Sequence, residues 1–195
     1  MLDLKGYKLV LASQSPRRRE LLKGLDVKFS TCSVDADESF PLELKGADAV
    51  MYISEAKAGA YKPLLEDKTI GITADTVVIL NDKIIGKPKN EEDAFCMIKA
   101  LSGNVHEVIT AVCIFTKDKC VKFYSSTEVH FGKLTDEEIN YYIEKYKPFD
   151  KAGSYGVQEW IGYIGIEKIV GSYFNVMGLP VKRLYDELKS FIETL

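Results

Sequence analysis

Leu9-Val-Leu-Ala-Ser-Gln-Ser-Pro-Arg-Arg-Arg19 changes character halfway along. The first four residues are an uninterrupted apolar run, the signature of a buried strand. Ser15 then supplies an N-cap hydroxyl and Pro16 the fixed φ favoured at the first helical position. Leu21, Leu22 and Leu25 continue as an apolar stripe, with Gly24 near its end. A buried strand that hands over at once to a helix starts an α/β unit, and the rest of the chain is read outward from it.

The alternation of strand and helix signals continues downstream. Val27 and Phe29 alternate as in a half-buried strand, and residues 47–61 place Val50, Ile53, Lys57 and Tyr61 near one helical face. A lysine on that face either snorkels to the surface or reaches a site. Residues 69–80 are strand-like with a turn at Asn81-Asp82, and Asn90 caps a helix with Glu91, Glu92 and Asp93 in its first turn. Runs at about 105–116 and 121–133 flank Lys117-Asp-Lys119 and predict an antiparallel hairpin. Thr135 with Glu138 forms a capping box for a helix over 136–146 that Lys147-Pro148 stops. Ile164–Ile169 and Tyr173–Met177 read as paired strands, and Val181, Leu184, Tyr185, Leu188 and Ile192 as the face of a last helix. The expected class is α/β, a mixed sheet with helices, in two lobes around a central cleft.

Composition narrows the function. At 195 residues and 21.9 kDa the chain is expected to form a single domain over 1–195. With 46% hydrophobic residues, 9 Phe and 11 Tyr, it can fill a core, which excludes global disorder. The charge balance is 26 basic against 29 acidic side chains, a net −3, so no chain-wide positive field attracts nucleic acid or an anionic membrane. Cys32, Cys96, Cys113 and Cys120 show no zinc-type spacing and read as free thiols. With no signal-like start and no spanning segment, the expectation is a cytoplasmic protein.

Three groups of side chains carry chemistry. At the first strand-to-helix junction, Ser13, Ser15 and Arg17 to Arg19 combine free helix N–H groups, hydroxyls and guanidinium forks, a set suited to phosphate. Cations at a helix N-terminus oppose its dipole by roughly 0.3–1 kcal/mol each, so these arginines ask for an anion unless they are simply solvated. Asp75 lies amid Ile70, Ile72, Val77 and Val78, where a carboxylate must pair, bind metal or meet solvent. Asp35, Asp37 and Glu38 are further candidate oxygen ligands, and Lys87 in Gly86-Lys-Pro88 can add positive charge to phosphates. His106 and His130, the only histidines, sit in hairpin territory and receive no role, so Mg²⁺ or Mn²⁺ suits the ligands better than a histidine-bound metal.

Six blocks taken in order resemble the Maf family of nucleoside triphosphate pyrophosphatases. They are Leu11-Ala-Ser-Gln-Ser-Pro-Arg-Arg18, Glu55-Ala-Lys57-Ala, Ala74-Asp-Thr-Val-Val78, Gly86-Lys-Pro88, Asp150-Lys-Ala-Gly-Ser-Tyr-Gly-Val-Gln158 and Gly171-Ser-Tyr-Phe-Asn-Val-Met-Gly-Leu-Pro180. The resemblance implies an inosine triphosphate pyrophosphatase-like two-lobed fold with the active site in its cleft. It implies Asp75 as the catalytic acidic residue, with Ser13, Arg17, Arg18, Lys57 and Lys87 around the triphosphate. It places a divalent cation on Asp75 and Glu38. Arg17, Thr76 and Gln158 match the branch acting on dTTP and UTP rather than the 7-methyl-guanosine triphosphate branch. Besides the nucleotide, a homodimer is the partner state the family suggests, with neither nucleic acid nor membrane.

Chemistry supports Gln158 independently, since one amide offers an acceptor to N3–H and a donor to O4 of uracil or thymine. The reaction expected is metal-assisted hydrolysis of the α–β phosphoanhydride to the monophosphate and pyrophosphate. Activity on CTP or modified pyrimidine nucleotides stays open. So do two other readings: a nucleotide-sensing interaction protein linked to cell division and septum formation, and an enzyme clearing damaged purine triphosphates.

Overall fold

The computed structural model describes residues 2–33, 39–41 and 43–195. Seven strands form one mixed sheet among these residues: β1 (Lys8–Ala12), β2 (Ser30–Cys32), β3 (Thr69–Leu80), β4 (Lys83–Ile85), β5 (Val105–Phe115), β6 (Cys120–Phe131) and β7 (Ile166–Val170). Their order is β2-β1-β3-β5-β6-β7, with β4 beside β3. The helices are α1 (Pro16–Lys23), α2 (Gly46–Tyr61), α3 (Glu91–Leu101), α4 (Asp136–Tyr146), α5 (Trp160–Gly165), α6 (Tyr173–Met177) and α7 (Val181–Glu193). The chain divides into two compact units, one of residues 1–75, 110–125 and 178–195, the other of 76–109 and 126–177. No helix among the described residues is long and apolar enough to cross a membrane.

In the first unit β1 is the organising strand. Leu9, Val10, Leu11 and Ala12 are all buried, as a strand covered on both faces requires. β1 pairs in parallel with β2 through Val10↔Ser30 and Ala12↔Cys32, and with β3 through Lys8↔Thr69 and Leu11↔Ile72. The connection through α1 therefore leaves β1 in one direction and the connection through α2 passes back beyond it. Right-handed crossovers that run in opposite directions put the two helices on opposite faces of the sheet. The carboxyl end of β1 is thus a topological switch point, where an α/β sheet opens a crevice.

Packing within this unit depends on Gly71. A Cβ there would lie 2.5 Å from Phe115 Cζ, so the missing side chain makes the slot that the ring fills. Tyr61 meets Phe115 edge-on at 6.4 Å and 84°, and Ala58, Leu65 and Cys113 complete the cluster. The β5–β6 hairpin turns at Lys117-Asp118, closed by the Thr116 N–H donating to the Lys119 carbonyl at 2.9 Å. Leu184, Leu188, Phe191 and Ile192 form the buried stripe of α7.

The second unit packs Ala94, Ile98 and Leu101 of α3 and Ile139, Tyr142 and Ile143 of α4 with Val78, Leu80, Val108, Val129 and Phe131 of the strands. The Asn81-Asp82 turn has φ of 49° and 63°, the left-handed pair that a two-residue hairpin needs, and Asn and Asp tolerate it well. Asn90 and the Thr135/Glu138 box cap α3 and α4 as their sequences demand. His106 lies inside this unit, stacked on Phe131 at 5.4 Å with its Nε2 2.7 Å from the Tyr155 hydroxyl.

Two elements differ from the sequence expectation. Tyr173–Met177 is a helical turn rather than a strand paired with 164–169. Its start is held by the Ser172 hydroxyl, which accepts the Asn175 N–H at 3.3 Å, and Asn175 Nδ2 donates to the Val108 carbonyl and Thr127 Oγ1, both at 3.0 Å. β7 pairs instead with β6, through Glu128↔Val170 and His130↔Lys168. The second strand begins at Ser30, after Val27 and Phe29, because its pairing with β1 starts only at Val10↔Ser30.

Replacing Gly71 with Ala is expected to overpack the Phe115 slot and cost about 1–3 kcal/mol in urea unfolding. Adding Phe115→Leu should recover part of that loss, and an unchanged midpoint in Gly71→Ala would refute the slot. Burial, with a smaller contribution from His130, lowers the His106 pKa from 6.5 to about 4. In the unfolded chain His106 takes up a proton below pH 6.5, whereas the fold keeps it neutral to about pH 4. Its contribution is therefore complete above pH 6.5 and is lost as pH falls toward 4. Between pH 7 and 4.5 the wild type should lose about 2 kcal/mol more than His106→Gln, and parallel losses would contradict this assignment.

Candidate active site

Helix α2 and strand β3 meet through two polar rungs. Ser54 and Lys57 are three residues apart on the helix and share a face, while Thr73 and Asp75 alternate onto one face of the strand. The Thr73 hydroxyl donates to the Ser54 carbonyl at 2.9 Å, and Lys57 Nζ donates to Asp75 Oδ1 at 3.0 Å. The first rung is dry, with Ser54 and Thr73 both wholly buried. At the second, the Lys57 and Asp75 side chains remain 13% and 15% exposed. A carboxylate in an apolar strand would carry a desolvation penalty of several kcal/mol alone, and the ammonium offsets it. Lys57 therefore reaches inward rather than snorkelling, and β3 runs on through Asp75 to Leu80.

The β1–α1 junction is built from its own hydroxyls. Ser13 Oγ accepts the Ser15 N–H at 3.3 Å, and Ser15 Oγ accepts the Arg18 N–H at 3.4 Å as the N-cap. Arg18 bends back, donating from Nε to the Gly178 carbonyl at 2.8 Å and from Nη1 to Ser13 Oγ at 3.5 Å. It fastens the junction to the chain entering α7. Arg17 is half-buried one residue before it, and Arg19 is exposed. No acidic residue occupies the first turn of α1, so no side chain of that turn neutralises the positive helix end.

Strand geometry brings these pieces together. Leu11 pairs with Ile72, and both parallel strands continue past that rung in the same direction, one to Ser13 and the helix start, the other to Asp75. Ser13, Arg17, Arg18, Lys57 and Asp75 thus belong to the carboxyl end of the β1–β3 pair. An anion-binding helix start beside a carboxylate–ammonium pair can hold phosphates and place a proton acceptor next to them.

The remaining predicted residues lie in the second unit. Thr76 follows Asp75 in β3, and Lys87 stands in the loop after β4. The Gly86 carbonyl accepts the Gly153 N–H at 2.9 Å, which ties the Lys87 loop to the segment ending at Gln158. Gly153 has φ of +69°, and a Cβ on it would approach Val78 Cγ2 to 3.0 Å. Gln158 is half-buried, and among the described residues its Oε1 is buried without a hydrogen-bond partner. An orphaned buried acceptor costs about 1–3 kcal/mol, which a ligand N–H would relieve.

Sequence reasoning missed the supports of this segment. Lys151 is buried and pairs with Asp150 at 2.8 Å and Glu159 at 3.1 Å, and the Tyr142 hydroxyl donates to Glu159 Oε2. The signal available was the spacing of opposite charges, Lys151 and Glu159, at the two ends of a glycine-containing stretch. The Ser54–Thr73 rung had none, since a buried threonine hydroxyl that meets a backbone carbonyl leaves no pattern in the sequence.

Of the expected metal ligands, Asp75 is paired with Lys57, whereas Glu38, with Asp35 and Asp37, lies outside the described residues. No group of three or more His, Cys, Asp or Glu side chains among the described residues could hold a metal by itself. A single carboxylate such as Asp75 would suit a magnesium-type ion, since such ions are commonly bound through one or two carboxylates.

A family model described as "Maf-like protein" matches residues 8–191. A dTTP/UTP pyrophosphatase of Parabacteroides distasonis is 58% identical over 190 residues, covering 97% of this chain and 98% of its own. One from Porphyromonas gingivalis is 52% identical over 198 residues, covering 100% of both. Among solved structures, the Staphylococcus aureus Ham1 protein aligns with a TM-score of 0.49 at 15% identity, over 96% of this chain and 98% of its own. A match that runs from β1 into the last helix, with relatives more than half identical along their whole length, makes the chain a member of the Maf-like protein family.

Proposed function

We propose that this protein hydrolyses dTTP and UTP to the nucleoside monophosphate and pyrophosphate. The observation that carries the reading is the Lys57–Asp75 pair, 3.0 Å apart and largely buried but still reached by solvent, at the end of the strand pair that also delivers the α1 start. The names of the full-length relatives support the substrate, and the orphaned Gln158 Oε1 supports recognition of a base with an imide N–H.

In this reading a water attacks the α-phosphorus, the bond from the α-phosphorus to the bridging oxygen breaks, and pyrophosphate leaves with that oxygen. Asp75 accepts the water's proton and fixes its line of approach, while Lys57 holds the carboxylate in place. Arg17 and the N–H groups opening α1 stabilise the negative charge of the phosphates, with Ser13 and Arg18 keeping the junction in shape. Lys87 adds positive charge to the same chain of phosphates. A divalent ion such as Mg²⁺ or Mn²⁺, held by Asp75 and, by family resemblance, Glu38, would supply charge neutralisation and a more acidic water. Gln158 accepts the N3–H of thymine or uracil and donates to O4, and Thr76 stands beside Asp75 as a second selectivity position.

Asp75→Asn keeps the shape and removes the ionised acceptor. Pyrophosphate release from dTTP is expected to fall about 10²–10⁴-fold, the usual worth of a positioned acid–base group, while nucleotide binding persists. Near-normal turnover would refute the role of Asp75. Arg17→Ala should lower kcat/KM for dTTP about 10–150-fold, equivalent to about 1.5–3 kcal/mol for a hydrogen bond to charge. An unchanged value with every triphosphate would place Arg17 outside the site. Tight dTTP binding by the wild type with no pyrophosphate released under Mg²⁺ or Mn²⁺ would overturn the enzymatic reading in favour of a sensor.

A further inference from the structure

The segment that carries Gln158 is closed on itself by side chains with no part in the reaction above. Lys151, at its start, has a side chain only 9% exposed and reaches Glu159 Oε1 at 3.1 Å across the segment's mouth. The other Glu159 oxygen accepts the hydroxyl of Tyr142, a wholly buried residue of α4. That hydroxyl in turn accepts the Gly156 N–H at 3.0 Å. Burial and the Glu159 carboxylate push the Tyr142 hydroxyl well above its ordinary pKa, so it stays a donor. The circuit Lys151–Glu159–Tyr142–Gly156 leaves Val157 and Gln158 as the only residues between its last two anchor points.

Two glycines close what remains. A Cβ on Gly156 would lie 2.8 Å from Glu159 Cδ and displace the carboxylate. A Cβ on Gly162 would lie 1.9 Å from the Val157 carbonyl oxygen, so the first turn of α5 sits directly against the residue before Gln158. The backbone is thus held on both sides of Gln158, while the side-chain oxygen is the buried acceptor with no partner among the described residues.

We propose that Tyr142, Lys151 and Glu159 are positioning residues that lock the 151–159 segment, so that Gln158 presents its oxygen to an imide N–H and the base-dependent part of nucleotide affinity is set by this brace. The proposal rests on the reading of Gln158 as the base contact. Its physical content is that a hydrogen-bonding site discriminates only as far as its groups stay where they are put. A loose segment withdraws Gln158 into water and pays nothing for an absent or unsuitable base. A braced one leaves an unmatched acceptor in place and gains fully when the N–H arrives.

Titration calorimetry with an α,β-imido analogue of dTTP, which resists hydrolysis, and with inorganic tripolyphosphate, which has no base, separates the brace from the phosphate contacts. Gln158→Ala and Tyr142→Phe are each expected to weaken the dTTP analogue at least about 10-fold while tripolyphosphate changes less than about 2-fold. Lys151→Met should behave like Tyr142→Phe, and Lys151→Arg should restore most of the affinity because it keeps the charge facing Glu159. Should Tyr142→Phe fold poorly, Glu159→Gln keeps an acceptor for Tyr142 and breaks only the ion pair, and an intermediate loss confined to the dTTP analogue is then expected. If Gln158→Ala loses the dTTP analogue and the brace variants keep it, the brace is overturned and the base contact stands. If Gln158→Ala keeps it, both fall. Parallel weakening of the two ligands in the brace variants would reduce these residues to general structural support and also overturn the proposal.

Discussion

The contact between α2 and β3 is the constraint on which the candidate chemistry depends. Thr73 and Ser54 lock helix to strand with a buried hydrogen bond, and one step along the same faces Lys57 meets Asp75. The first rung is dry and sets the register; the second is wetter and keeps two opposite charges 3.0 Å apart at the edge of solvent. An ion pair so placed contributes little net stability, because desolvation consumes much of the Coulomb gain. Its effect is to fix the Asp75 carboxylate at one point at the carboxyl end of the β1–β3 pair.

The two units present different kinds of polar group. The first unit presents a helix terminus, guanidinium groups and an ammonium, features suited to charge and tolerant of variation in what carries it. In the second, Gln158 offers a neutral amide whose worth depends on position, and the surrounding polar groups are satisfied by one another. His106 follows the same logic at a purely structural place, neutral against Tyr155 within an aromatic cluster.

Much of the fold is legible in local chemistry. The Ser15 cap with Pro16, the Asn90 cap, the Thr135/Glu138 box and the Asn81-Asp82 turn each act within four residues, and each appears where the side chains demand it. The reading fails at Tyr173–Met177, where a short apolar stretch is compatible with strand or helix. The decision there is made by Asn175, whose amide is captured by Val108 and Thr127, residues far away in the chain. Periodicity has no access to such a partner.

For the site, the sequence by itself determined which residue types stand at the strand-to-helix junction, which acid interrupts an apolar strand and which motif blocks tie the chain to its family. Those facts are local or follow from order along the chain. Tertiary structure alone decided that Lys57 pairs with Asp75 rather than with solvent, that Arg18 spends its guanidinium on Gly178 and Ser13, and that Lys151, Glu159 and Tyr142 close a circuit around Gln158. Each of these is a contact of a few ångströms between segments separated in sequence, and its energy depends on distance and burial, which exist only once the sheet has set its register.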